Sequence, residues 1–144
     1  MTMLRPHSES IPAPVPSAMS GPFWEGCQRG ELLFQRCRNG HAVFSPGPIC
    51  RECLSTDLEW VPSSGKGQVY SYSVVWRPPS PKFQVPYVVA IVALDEGFMM
   101  LANIIGCNHE SVSVSLPVVA EFHPVGNEMC LPYFAPSGLS SCVV

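Results

Sequence analysis

The sequence predicts a mainly β protein, with a short N-terminal helix, a metal-pinned ribbon and a five-stranded barrel. Three observations lead there. First, Cys37 to Cys53 gathers three cysteines and His41 in one stretch punctuated by Pro and Gly. Second, at least five β-type runs separated by turn signals follow Gly65, within about 70 residues. Third, no internal repeat and no long helical period is present.

Composition narrows the function. The chain has 144 residues, enough for one ordinary domain or two very small ones. Charged residues are 13% and hydrophobic ones 47%. A surface so poor in charge suits a permanent protein partner, hence a hetero-oligomer. Eight Lys and Arg and a net charge of -3 argue against nucleic acid, whose binding rests on phosphate neutralisation. No apolar run approaches the roughly 20 residues of a membrane span. Met1 to Ser20 lacks an apolar signal-type core, so the expected location is cytoplasmic, with no membrane partner. Seven cysteines in a reducing compartment read as metal ligands and buried thiols. Cys27, Cys107, Cys130 and Cys142 stand singly, as small hydrophobes outside any catalytic signature.

Residues 1–20 contain Pro6, Pro12, Pro14 and Pro16 among small and polar side chains. They form a Pro-rich flexible arm without a core of its own, read either as a free tail or as an arm laid on a partner. Ser20 to Gly30 forms a short helix. Ser20 or Gly21 caps it, Pro22 occupies the first turn and Gly30 stops it. Phe23, Trp24 and Cys27 give it an apolar face that needs something to pack on.

Glu31–Arg36 is a strand leading into Cys37, Ala42–Phe44 returns, and Leu58–Val61 is a third strand. Strand, knuckle, strand, knuckle, strand is the layout of a zinc ribbon, placed here at 21–62 with the helix. Cys50-Arg-Glu-Cys53 is a tight knuckle, and Cys37-Arg-Asn-Gly-His41 is a looser one. Soft thiolates plus an imidazole at this spacing suit a closed tetrahedral Zn²⁺ site, so Cys37, His41, Cys50 and Cys53 are the expected ligands. Four protein ligands leave no position for an activated water, which makes the zinc structural. Iron of the four-thiolate kind fits this set less well.

The barrel is placed at 63–136. Gln68–Arg77 alternates, with Tyr70, Tyr72, Val74 and Trp76 on one face. Pro78–Pro86 is a loop, because its prolines remove ladder donors. Tyr87–Leu94 reads as a strand buried on both faces, and Asp95-Glu-Gly97 as a solvated hairpin turn. Phe98–Ile105, Pro117–His123 and Met129–Phe134 complete five strands, with a polar connector around Cys107–Val112. That count and spacing fit a small Greek-key barrel of the OB type. Residues 137–144 are a tail.

The order of motifs resembles a known family that joins an N-terminal helix and a rubredoxin-like zinc ribbon to an OB-fold and is associated with acyl-CoA metabolism. The resemblance rests on Phe23-Trp-Glu-Gly26, Leu33-Phe-Gln-Arg-Cys37, Pro48-Ile-Cys-Arg-Glu-Cys53, Gly67–Val75 and Val85–Gly97, and spans residues 22–136. One departure stands out. The family's usual first knuckle is C-x-x-C-G, whereas Gly40 occupies the second cysteine's place here and His41 follows it.

The resemblance implies thiolase-like and ketoacyl-synthase-like partner subunits. The pattern is most similar to small subunits of the bacterial complexes that C-acetylate monoacetylphloroglucinol. It therefore implies a Friedel–Crafts-type acyltransferase of antibiotic biosynthesis, with the nucleophile and base on the thiolase-like chain. No catalytic or cofactor-binding residue is expected in this one. Two other readings remain open: a stand-alone OB module for acyl-CoA or nucleic acid, and the partner of a thiolase-like retro-aldolase. The ribbon's expected task is to fix the angle between helix and barrel. The loop from Trp76 to Pro86, with Phe83, is the expected interface.

Overall fold

The computed structural model describes residues 3–138. Cys142 and most of the expected tail lie outside the described residues.

Helix α1 (Gly21–Arg29) has Pro in its first turn and ends on Gly30 at φ 80°. Glu31 N–H donates to the Gly26 carbonyl at 2.8 Å and Gly30 N–H to the Cys27 carbonyl at 3.1 Å. This is a Schellman stop, which needs a residue free to enter the left-handed region. Ser20 makes no side-chain cap. Its hydroxyl instead accepts from Ser17 N–H at 2.9 Å. The buried face of α1 carries Phe23, Gly26 and Cys27. A Cβ at Gly26 would lie 2.8 Å from the Leu33 side chain, so glycine lets the helix approach the strand that follows.

Strands β1 (Leu33–Cys37), β2 (Ala42–Val43) and β3 (Leu58–Pro62) form an antiparallel ribbon in the order β2-β1-β3. Strands β4 (Lys66–Val75), β5 (Tyr87–Leu94), β6 (Met99–Ile104), β7 (Pro117–Val125) and β8 (Met129–Pro136) close into a barrel in the order β4-β5-β6-β8-β7. A single 3₁₀ turn at His109–Ser111 sits in the connection from β6 to β7. The chain is mainly β, with a ribbon and a closed five-stranded OB barrel as expected.

Two strands differ from their sequence pattern. A bulge between Val69 and Ser71 breaks the register of β4 against β5. Val69 therefore points into the core, while Tyr70, Ser71, Tyr72 and Ser73 are all exposed. The extra residue of a bulge shifts the period-two phase, so the single face expected for Tyr70 to Trp76 does not form. Strand β5 alternates buried and half-buried residues along its whole length. Its outer side, Val89, Ile91 and Ala93, is apolar but only partly covered.

One continuous core joins the modules. Phe98 of the barrel stacks on Phe34 of β1 (centroids 4.8 Å apart) and on Phe44 beyond β2 (5.0 Å). Phe23 of the helix then meets Phe44 at 5.6 Å. Glu96 ties the linker to the β5–β6 turn: it accepts from Ser63 Oγ at 2.6 Å and from Ser64 N–H at 2.7 Å. The turn expected to be solvated is thus a fastening point.

The Pro-rich arm, expected to have no core of its own, lies on the barrel. Leu4 and Ile11 are buried. Leu4 N–H donates to the Cys107 carbonyl, Gly106 N–H to that of Leu4, and Gly126 N–H to that of Glu9. Backbone pairing and two buried side chains supply the order that its composition does not encode. Among the described residues, no helix is long and apolar enough to cross a membrane.

Candidate metal centre

Two tight turns bring the expected ligands together. Cys37 ends β1, Gly40 turns the chain at φ 89°, and Cys37 N–H donates to the His41 carbonyl at 3.0 Å. In the second knuckle Leu54 N–H donates to the Cys50 carbonyl at 2.9 Å, as does Cys50 N–H to that of Ser55. Buried Gln35 holds the intervening loop by accepting from Gly47 N–H at 2.8 Å.

The ligand atoms of Cys37, His41, Cys50 and Cys53 lie within 4.8 Å of one another. Cys37 Sγ is 3.7 Å from Cys53 Sγ and 3.3 Å from His41 Nδ1, and Cys50 Sγ is 3.6 Å from the same nitrogen. A tetrahedral zinc with bonds of ~2.3 Å to sulfur and ~2.0 Å to nitrogen has edges of about 3.8 Å (S···S) and 3.5 Å (S···N). These three distances are close to those edges, so the four side chains are positioned to bind a zinc ion. His41 Nδ1 faces the Cys37 and Cys50 sulfurs, within reach of the same centre.

The surroundings favour the ligating thiolate at Cys53 and Cys37, and the protonated form at Cys50 and His41. Hydrogen bonds from the Asn39 side chain, then from the Ser55 backbone, pull the Cys53 thiol down to about 6, helped by His41 and Cys37. Burial pushes Cys37 up, but donors at His41 and Asn39 outweigh it and leave its thiol lowered. Cys50 moves the other way: backbone donors from Cys53 and Glu52 favour its thiolate, but burial and the neighbouring Cys53 and Cys37 leave it raised. Hydrogen bonds to Cys53 and Cys37 raise His41, the partner expected of nearby thiolates. A metal held by these residues would take the place of the shared protons.

The sequence reading missed two contributors. His41 Nε2 lies 3.2 Å from Glu52 Oε2, a carboxylate that fixes the ring with Nδ1 inward. Asn39 stabilises the Cys53 thiolate. Both lie between the ligand positions of the knuckles, where spacing alone gives no signal.

Among the described residues, the remaining single cysteines and histidines lie elsewhere. Cys27 is fully buried, and burial together with Cys130 pushes its thiol up to about 12. Burial also raises Cys107. These thiols are inert at neutral pH. His109 packs edge-on against Trp76 at 5.1 Å, and His123 contacts Glu121 at 3.0 Å.

With this geometry in place, comparison with known proteins is decisive. A family model described as the rubredoxin-like zinc ribbon domain of ChsH2 matches residues 24–59, and one described as its C-terminal OB-fold domain matches 60–123. The chain belongs to the ChsH2 (DUF35) family. A DUF35 domain-containing scaffold protein of Methanocaldococcus jannaschii is 39% identical over 97 residues, covering 65% of this chain and 69% of that protein. A probable enoyl-CoA hydratase alpha subunit of Thermomonospora curvata is 39% identical over 117 residues, or 80% of this chain. The chain spans only 37% of that longer protein. A solved Ltp2-ChsH2(DUF35) aldolase is 36% identical with a TM-score of 0.80, covering 87% of this chain and 99% of that one.

Proposed function

We propose that this chain is a non-catalytic structural subunit of a thiolase-like enzyme complex. One observation carries the reading. Among the described residues, the single His, Cys, Asp and Glu cluster placed to hold a metal supplies four protein ligands, leaving no open position for chemistry. What the chain offers a partner is shape and apolar surface. Trp76 is 62% exposed and Tyr70 57%, and aromatic side chains on stiff segments are good interface anchors. The scaffold name of the M. jannaschii relative supports the same role. A subunit of this kind contributes to catalysis by positioning and water exclusion on the partner's active site.

The finer reading is a C-acetyltransferase with thiolase-like and ketoacyl-synthase-like subunits, acting on phloroglucinol-type phenols by Friedel–Crafts-type transfer. It rests on the motif pattern of the sequence. A second reading, the partner of a thiolase-like retro-aldolase, is favoured by the likeness to the solved aldolase.

The test is co-purification with thiolase-like proteins from the same source. The purified complex is then assayed both for C-acetylation of a phenol and for retro-aldol cleavage of a β-hydroxyacyl thioester. Tyr70→Ala with Trp76→Ala is expected to weaken co-purification at least tenfold. Turnover by this chain alone, or undiminished co-purification of the double variant, overturns the proposal.

A further inference from the structure

A cavity of about 570 Å³ opens where the arm, the helix, the ribbon and the barrel meet. Its size falls in the range of small-molecule sites, ~300–1,000 Å³. Trp24, Phe44, Phe83, Tyr87 and Tyr133 contribute aromatic walls, and Val89, Met100 and Leu101 the barrel side. Among the described residues that line it, none is Asp, Glu, Lys or Arg.

The polar groups are few and fixed. His7 is wedged edge-on between Tyr87 (4.7 Å) and Phe83 (5.1 Å), and its backbone N–H donates to the Tyr133 hydroxyl at 3.1 Å. Burial lowers the His7 imidazole, against a hydrogen bond with Asn103 that raises it. The ring is therefore predominantly neutral at neutral pH. Asn103 keeps unused capacity, since one amide offers two donors and an acceptor oxygen. The arm carries His7, Ile11 and Pro12 into the wall and is fastened on both sides of His7, at Leu4 and at Glu9.

We propose that this cavity binds a neutral aromatic small molecule bearing one hydrogen-bonding group. Aromatic walls favour a flat π-surface at stacked or edge-on distances. The absence of lining charge disfavours an ionised ligand, whose desolvation nothing there would offset. Asn103 and His7 are the polar groups that orient the ligand. The proposal concerns the chain by itself and does not depend on the partner.

The full-length, zinc-loaded chain is titrated with N-phenyl-1-naphthylamine, a neutral aromatic amine that fluoresces in apolar surroundings. Expected is a saturable rise at one probe per chain. The anionic relative 8-anilino-1-naphthalenesulfonate is expected to bind at least tenfold more weakly. Leu101→Glu places a charge at the exposed mouth without touching the core. It should weaken the neutral probe at least tenfold with zinc content and melting unchanged, and Asn103→Leu should weaken it about tenfold. Val114→Glu, exposed and outside the cavity, should leave binding unaltered. A non-saturable rise, equal affinity for the anionic probe, or Leu101→Glu binding as the parent does would overturn the proposal. So would Leu101→Glu abolishing co-purification of a partner while sparing the probe, which would assign the groove to that protein.

Discussion

Replacing Phe98 by Ala probes the joint between ribbon and barrel. Phe98 is 5% exposed and stacks on Phe34 and Phe44, whose ring planes lie within 27° and 23° of its own. A buried Phe→Ala change costs about 3–5 kcal/mol, depending on how far the site collapses. Here collapse is restricted, because Phe34 sits in the central ribbon strand and Phe44 also packs on the helix. The lost aromatic contacts add to the lost area. These considerations place the loss near 4 kcal/mol. With a urea slope of ~2 kcal/mol/M for a chain of this size, the midpoint falls by about 2 M. Circular dichroism in urea reads that shift. Zinc content should stay at one per chain, because the ligands lie outside the aromatic stack. A loss below about 1 kcal/mol, the scale of an ordinary substitution, would refute the view that the stack couples the modules. So would loss of zinc without loss of stability.

Other perturbations separate the remaining contributions. His41→Ala should empty the metal site, whereas His41→Cys should keep zinc, and Glu52→Gln should weaken affinity about tenfold as a partly exposed outer contact; zinc competition with a chromogenic chelator measures all three. At Glu96 burial pushes the carboxyl up, but bonds from Ser63 and Ser64 outweigh it and hold it below its ordinary 4.5. A lowered acid stabilises the fold above its unfolded value, and that contribution disappears as the pH falls below 4.5 through the folded value. Glu96→Gln should therefore cost about 1 kcal/mol at pH 7, allowing for partial exposure, and progressively less as the pH falls below 4.5, as followed by melting across that range.

The ribbon and the barrel strands were legible because their signals are local. Cysteine spacing specifies the knuckles, and apolar runs between Gly and Pro specify the strands. The arm was not legible, because its order comes from Leu4, His7 and Glu9 meeting Cys107, Tyr133 and Gly126, more than a hundred positions away. The bulge in β4 was equally hidden, since Tyr70-Ser-Tyr72-Ser alternates well and only the pairing with β5 reveals the extra residue. In the metal site, ligand types and spacing pointed to Cys37, His41, Cys50 and Cys53. The roles of Glu52 and Asn39 depend on side-chain direction within the turns, which spacing does not carry. Glu96 read as solvated because turn residues usually are, and its partners come from the linker more than thirty residues earlier.

The most direct test of the account is the mass and zinc content of the species formed when the chain is co-expressed with a thiolase-like protein from the same source, measured by size-exclusion with light scattering and metal analysis. The account predicts a hetero-oligomer holding one zinc per copy of this chain. A zinc-free monomer eluting apart from the thiolase-like protein would contradict it.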